Sequence, residues 1–379
     1  MAKNTVLIAG ASGLVGLAAM RHFASLADWD VIGISRRSPP NIPGARFISL
    51  DLMDAEACRA ATSEFGGVTH LVYAALFEKP GLFGGWLDAD AITMNATMLQ
   101  NLFEPLSVAA TGLRHVSLLH GTKAYGLHHP SIGPRGVKIP LRERAPRAVH
   151  PNFYFVQEDY LRAKQSEGAR WAMTVFRPTV IYGDAWGNNM NPLPVIAAYG
   201  ALLRDAGEPL HFPGRSGHPV VREAVDAGLV AEALAWAAES ASASGGTFNL
   251  TNGDVFMWEN IWPAIADELG MEVGEPRPES LATHLPQMQD AWAALVARHG
   301  LAAPPEILDF VGANSLVYTD MVLAGSPAAS NPILNSTIAA RQAGFERCLD
   351  TEDMFRDRIR SLVREGVIPP ASADRRASR

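Results

Sequence analysis

A phenol and an ammonium group held near one substrate oxygen can polarise or protonate it, and the chain holds one pair of these groups at helical spacing. Tyr160 and Lys164 lie four residues apart in Tyr160-Leu161-Arg162-Ala163-Lys164, which puts both side chains on one face of a helix. The competing reading of that pair is a solvent-exposed helical contact. Tyr154 is followed at the same spacing by Glu158. A different chemistry is written in Gly10-Ala11-Ser12-Gly13-Leu14-Val15-Gly16, which follows an apolar run and opens a helical one. Here Gly10 permits a tight turn, Gly13 lets a pyrophosphate approach the backbone, and Gly16 lets helix and strand pack closely. With Ser12, Leu14 and Val15 in the same turn, the helix start presents free N–H groups to an anion.

The second apolar run ends Ile34-Ser35-Arg36-Arg37. A dinucleotide with free ribose hydroxyls would call for an acidic residue there. Ser35, Arg36 and Arg37 instead suit a 2′-phosphate through forked, charge-assisted hydrogen bonds, so the expected cofactor is NADP(H). By analogy with such sites, Asp51 and Leu52 after the third run are placed at the adenine. Ala74 and Ala75 after the fourth are small enough to let a ribose lie close. His120, His128 and His129 have no carboxylate at ligand spacing and are read as loop or pocket residues, with no metal site expected. Trp186, Met190 and Phe212 either line an apolar substrate pocket or pack the surrounding lobe.

These residues need a scaffold, and the first half of the chain describes one. Strands are expected at Thr5–Ala9, Asp30–Ser35, Arg46–Leu50, His70–Ala74, His115–His120 and Met173–Tyr182. Helices are expected at Leu14–Leu26, Ala89–Ala109 and Tyr154–Ala169. Strands apolar throughout and separated by helices imply a parallel sheet covered on both faces, the doubly wound α/β architecture of the Rossmann type. Residues 184–220 are rich in Gly, Pro and Asn and read as an excursion over the site, followed by a helix at Glu223–Glu239 and a strand at Thr247–Thr251. The resulting division is a nucleotide-binding core at 1–183 and 221–255, a smaller, mainly helical substrate lobe at 184–220 and 256–369, and a flexible tail at 370–379.

Composition narrows the class. Of the 379 residues, 48% are hydrophobic and 19% charged, the balance of a folded protein. A net charge of −7 argues against nucleic acid as a partner, since phosphate backbones want a basic face. No apolar run is long enough for a membrane span, and two cysteines, Cys58 and Cys348, do not make a disulfide framework. The expected setting is the cytoplasm.

Several blocks together resemble the progesterone 5β-reductase/iridoid synthase-like (PRISE) family of extended short-chain dehydrogenases/reductases. They are Gly121-Thr122-Lys123-Ala124-Tyr125, Asn152-Phe153-Tyr154-Phe155-Val156-Gln157-Glu158-Asp159 and Arg177-Pro178-Thr179-Val180-Ile181-Tyr182-Gly183. Further blocks are Phe248–Trp258 and Arg341-Gln342-Ala343-Gly344-Phe345 before Asp350-Thr351. The resemblance spans nearly the whole chain. It implies NADPH-dependent reduction of the C=C bond of an α,β-unsaturated carbonyl compound, a small apolar enone. Hydride would go to the β-carbon, with Tyr154 and Lys123 stabilising the enolate oxygen. It also sets Lys123, Tyr154, Pro178 and Val180 beside the cofactor. Two positions depart from the family blocks, Ala124 for histidine and Phe155 for a second tyrosine. The competing functions are a carbonyl reductase or alcohol dehydrogenase, an epimerase-type enzyme, and a non-catalytic NADP-binding sensor. A homodimer is expected only by analogy with related sheets.

Overall fold

A strand that is apolar on both faces must be covered on both, and the chain meets that demand by returning through a helix after nearly every strand. The computed structural model describes residues 3–168, 170–214, 220–324 and 332–371. In chain order the elements are β1 (Asn4–Ala9), α1 (Leu14–Ala24), β2 (Trp29–Ser35), β3 (Ala45–Ser49), α2 (Ala55–Ala60), β4 (His70–Tyr73), α3 (Ala89–Ala109), β5 (His115–Leu119), α4 (Phe153–Ser166), β6 (Ala172–Pro178) and β7 (Ile181–Tyr182). They continue with α5 (Pro192–Asp205), β8 (Val225–Asp226), α6 (Ala227–Glu239), β9 (Thr247–Leu250), α7 (Trp258–Leu269), α8 (Leu281–Gln287), α9 (Gln289–His299), α10 (Ile307–Val311), α11 (Ala313–Ala324), α12 (Ile338–Gln342) and α13 (Thr351–Arg364).

Seven strands form one parallel sheet in the order β3-β2-β1-β4-β5-β6-β9, with Ala9 of β1 in register with Ile34 on one side and Tyr73 on the other. The order reverses between β1 and β4, and such a switch point opens a crevice at the carboxyl ends of the strands. One apolar core, with Val6, Ile8, Phe23, Val230 and Leu234, lies under α1 and α6. A second, with Leu7, Leu71, Leu102, Phe103 and Leu161, lies under α2, α3 and α4. A third, with Tyr199, Trp262, Trp292 and Phe355, belongs to the helical lobe. Ala340 and Phe345, around α12, pack on the first of these cores. Among the described residues no helix is long and apolar enough to cross a membrane.

The expected strands and helices of the first half appear within a few residues of their expected ends, and three readings need correction. The run Met173–Tyr182 is two strands: β6 stops at Pro178, and Ile181–Tyr182 leaves the sheet to pair with β8. The helix expected from Glu223 starts at Ala227, where Asp226 accepts from Gly228 N–H and Leu229 N–H as its cap. The segment 184–220 is not only an excursion, because it contains α5, buried at every residue from Pro192 to Leu203. Asn191 caps α5 and Pro192 occupies its first turn, a start signal that the surrounding glycines and prolines obscure. The expected helix end at Ala169, residues 215–219 of the excursion and the expected tail from residue 372 onward lie outside the described residues.

Candidate active site

The glycine loop joins β1 to α1 with no room to spare. Gly10 has φ +85°, and a Cβ on it would stand 2.7 Å from the Ala74 carbonyl oxygen. A Cβ on Gly16 would overlap the Gly10 carbonyl. Gly13 precedes α1 and contributes no side-chain cap, so the first N–H groups of the helix face the cleft unscreened. Arg36 and Arg37 stand exposed at the mouth of the cleft, where Arg37 reaches Asn188 Oδ1 at 3.3 Å and its carbonyl accepts from the Ser35 hydroxyl at 2.7 Å. Asp51, also exposed, turns its carboxylate onto Met53 N–H at 2.9 Å.

From this loop a continuous cavity of about 880 Å³ runs to the helical lobe. The structure brings every residue nominated for the cofactor to its wall: Gly10, Ser12, Gly13, Leu14 and Val15, then Ser35, Arg36 and Arg37, then Asp51, Leu52, Ala74 and Ala75, and finally Lys123, Tyr154, Pro178 and Val180. The glycine cradle and the open helix start fit a dinucleotide pyrophosphate.

At the far end Tyr154 sits in the first turn of α4. Asn152 caps that helix by accepting from Tyr154 N–H at 3.0 Å, and its amide donates to the Lys123 carbonyl at 3.2 Å. One side chain thereby ties the start of the tyrosine helix to the backbone of the lysine. The Tyr154 ring stacks on His120, centroids 4.7 Å apart and planes 12° off parallel, which fixes its tilt. Burial and the neighbouring Glu78 and Tyr318 push the Tyr154 hydroxyl well above its ordinary pKa, so it stands as a neutral donor. Burial holds the His120 ring neutral as well, with its pKa well below the usual value.

Lys123 is nearly buried and donates to Glu78 Oε1 at 3.2 Å. Its ammonium lies 4.4 Å from the Trp86 ring centroid and 5.6 Å from those of Phe153 and Tyr154. Burial pulls Lys123 down and pushes Glu78 up, and each charge holds the other back. Without its partner either group would be pushed toward its neutral form by its burial.

Other candidates are sorted by position. Tyr160 and Lys164 both bind Glu104 of α3, at 2.7 and 2.9 Å, and neither lines the cavity. Phe155 packs against Arg147, whose guanidinium is 4.5 Å from its ring, and also lies off the cavity, so Tyr154 is the phenol that α4 offers there. His128 lines the cavity, with burial and Lys123 taking its pKa down to about 3, whereas His129 accepts from or donates to Ser131 near the surface. Met190 lines the cavity, while Trp186 and Phe212 pack against the helical core. Cys58 is buried and Cys348 exposed, both as free thiols.

Several wall residues carry no sequence motif. Trp86 comes from the connection after β4, as does Glu78 behind Lys123, Arg222 from the segment before β8, and Tyr318, Met321 and Val322 from α11. Only a charge in an otherwise apolar stretch, Glu78 after Ala74-Ala75-Leu76-Phe77, was available as a signal.

Residues 65–306 match the PRISE-like Rossmann-fold domain. An (S)-8-oxocitronellyl enol synthase of Camptotheca acuminata is 27% identical over 97% of this chain and 94% of its own length. A 3-oxo-Δ4,5-steroid 5β-reductase of Arabidopsis thaliana is 32% identical over 71% of this chain and 70% of its own. Among solved structures, a UDP-glucose 4-epimerase of Thermotoga maritima with UDP-glucose superposes with a TM-score of 0.66 at 16% identity, covering 95% of this chain and 99% of that one. An enzyme of Bordetella bronchiseptica in complex with NAD+ does so at 0.61 and 14%, covering 96% and 99%, likenesses that establish the fold. The glycine-built groove and the match over most of its length agree: this chain belongs to the PRISE-like Rossmann family and is an oxidoreductase with a nucleotide-cofactor fold.

Proposed function

We propose that the chain is an NADPH-dependent reductase of the C=C bond of α,β-unsaturated carbonyl compounds. The observation that carries this reading is the convergence of a neutral Tyr154 hydroxyl and the Lys123 ammonium on one cavity that begins at the glycine loop. The names of the two relatives point to a shared chemistry. Hydride added to the β-carbon of a conjugated carbonyl leaves an enolate, and protonation of its oxygen gives an enol. Bound NADPH supplies the hydride; Arg36 and Arg37 at the mouth support the choice of a 2′-phosphorylated cofactor over NADH.

The chain's own task is then to stabilise negative charge that grows on the carbonyl oxygen. Tyr154 donates its hydroxyl proton toward that oxygen, and the His120 stack and Asn152 cap hold the ring so that no reorganisation is needed during the step. Lys123 adds a positive field from its place against Tyr154 and Trp86, kept charged by Glu78. Phe153, Met94, Met98 and Leu76 wall the cavity with apolar surface, where fewer waters compete and each charge acts more strongly. An epimerase would rely on a tyrosine and lysine four apart on one helix, and the pair with that spacing, Tyr160 and Lys164, lies outside the cavity.

The test is NADPH oxidation with 2-cyclohexen-1-one, wild type beside Tyr154→Phe, with the product identified by mass and chirality. The expected product is the saturated ketone, and the variant should lose roughly 100-fold or more in kcat. An allylic alcohol would replace this reading with ordinary carbonyl reduction. Tight NADPH binding without turnover across a broad enone panel would replace it with a cofactor sensor.

A further inference from the structure

The far wall of the cavity carries a charge that the proposed chemistry does not use. Arg222 lines the cavity, and burial lowers its pKa from the usual guanidinium value. Its Nε is buried without a hydrogen-bond partner. Among the described residues it makes no ion pair. Two other half-buried arginines are provided for. Arg358 binds Asp226 and Asp184 at 2.6 to 2.7 Å, and Arg204 donates to the Leu269 and Pro369 carbonyls at 2.7 and 2.5 Å. Arg177 also has its Nε buried without a hydrogen-bond partner, but it lies off the cavity and stacks over the Tyr125 ring at 5.0 Å.

Its neighbour Glu223 does not neutralise it. Both Glu223 carboxylate oxygens accept from Asn335 N–H, at 3.1 and 2.9 Å, and Oε2 also takes the Asn335 amide at 2.7 Å. The Arg222 backbone is pinned by reciprocal hydrogen bonds with Phe256, at 2.8 and 2.9 Å, so the side chain is not on a loose loop. Tyr318 lies close enough to act on both Arg222 and Tyr154, which puts the guanidinium at the substrate end of the cavity. A guanidinium that lines a cavity with its Nε buried and no partner among the described residues is costly unless a ligand supplies an anion, and its planar fork matches a carboxylate.

We infer that Arg222 anchors a carboxylate of the substrate, so that the preferred substrates are α,β-unsaturated carbonyl compounds carrying a carboxylate away from the reacting bond. The site sorts such molecules by orientation: the carbonyl goes to Tyr154 and the carboxylate to Arg222, with an apolar body between them. This deepens the enone-reductase reading and rests on it for the identity of the reacting group.

The experiment compares 3-(3-oxocyclohex-1-enyl)propanoate with its methyl ester as substrates for wild type, Arg222→Met and Arg222→Lys, reading the acid-to-ester ratio of kcat/KM within each protein. Wild type should favour the acid by about tenfold or more, chiefly through KM. Arg222→Met should erase the ratio and Arg222→Lys should restore part of it. Calorimetry of the saturated acid, 3-(3-oxocyclohexyl)propanoate, on NADP+-loaded protein gives a readout that needs no turnover. If neither enone is reduced yet the acid binds wild type and not Arg222→Met, the reductase reading fails and the carboxylate site stands. Equal binding of the acid by both proteins overturns the site whatever the turnover, as does an acid-to-ester ratio near one in wild type. A loss of NADPH affinity in Arg222→Met as large as the loss for the acid would make Arg222 a cofactor ligand and also overturn the proposal.

Discussion

The two ends of the cavity are built in opposite ways. At the cofactor end the working surface is backbone: three glycines within seven residues shape the turn, and the start of α1 supplies N–H groups. Almost any side chains could follow, provided none is added at Gly10 or Gly16. At the proposed substrate end the candidate groups are side chains from separate elements. Glu78 follows β4, Lys123 follows β5, Tyr154 opens α4, Arg222 precedes β8 and Tyr318 rides on α11. A local site fails at one residue, whereas a distributed site depends on how its elements are held together. That contrast can be pressed experimentally.

The largest effect is expected at the joint between the halves. Arg358 of α13 bridges Asp226, the cap of α6, and Asp184 after β7, and both carboxylates are buried. Arg358→Met leaves buried Asp226 without its cation and Asp184 with Arg21 alone, at 3.3 Å, a loss of about 3 kcal/mol that denaturant unfolding would read. A change below about 1 kcal/mol would mean that the lobe is seated by its apolar core alone. Next comes Gly10→Ala, which sets a Cβ against the Ala74 carbonyl at a φ of +85°. NADPH affinity by calorimetry should fall roughly 100-fold, a loss of about 2–3 kcal/mol, and near-normal binding would sink the claim that this turn shapes the groove.

A smaller effect is expected from Arg36→Ala combined with Arg37→Ala. NADPH should bind about tenfold more weakly while NADH binding barely changes. Equal losses for the two cofactors would assign these arginines to the turn rather than to the 2′-phosphate. The smallest is Glu78→Gln, with kcat reduced a few-fold. Here the pH profile is the sharper readout. Glu78 raises the Lys123 pKa against its burial, so its removal lets the ammonium deprotonate at lower pH. The alkaline limb of kcat should therefore move down in pH. An unmoved limb would remove Lys123 from the charge stabilisation.

Legibility followed the same divide. Gly10, Gly13 and Gly16 were readable because their roles are local, and Ser35, Arg36 and Arg37 followed from the strand that must come next. Tyr154 was reached through its sequence block, since spacing by itself nominated Tyr160, which the structure places against Glu104 on the outer face. Helix α5 was missed although Asn191 and Pro192 announce its start. A helix buried on every side has no polar stripe, so its sequence lacks the period that marks an amphipathic one. Glu78 left only the trace of a charge after an apolar stretch, and Arg222 and Tyr318 could not be read, because nothing in their neighbourhoods along the chain distinguishes a pocket charge or phenol from a surface one.

The sequence by itself determined the doubly wound sheet, the nucleotide groove and the tyrosine and lysine blocks, because each depends on contacts within a few dozen residues or on hydrophobic period. Tertiary structure alone decided that Lys123 is paired with Glu78, that Phe155 turns away while Tyr154 faces in, and that Arg222, on the same cavity, has no partner among the described residues. Those facts depend on which distant elements share a wall. Burial there sets the energy of each charge, and burial is a property of the packed fold rather than of any segment of the chain.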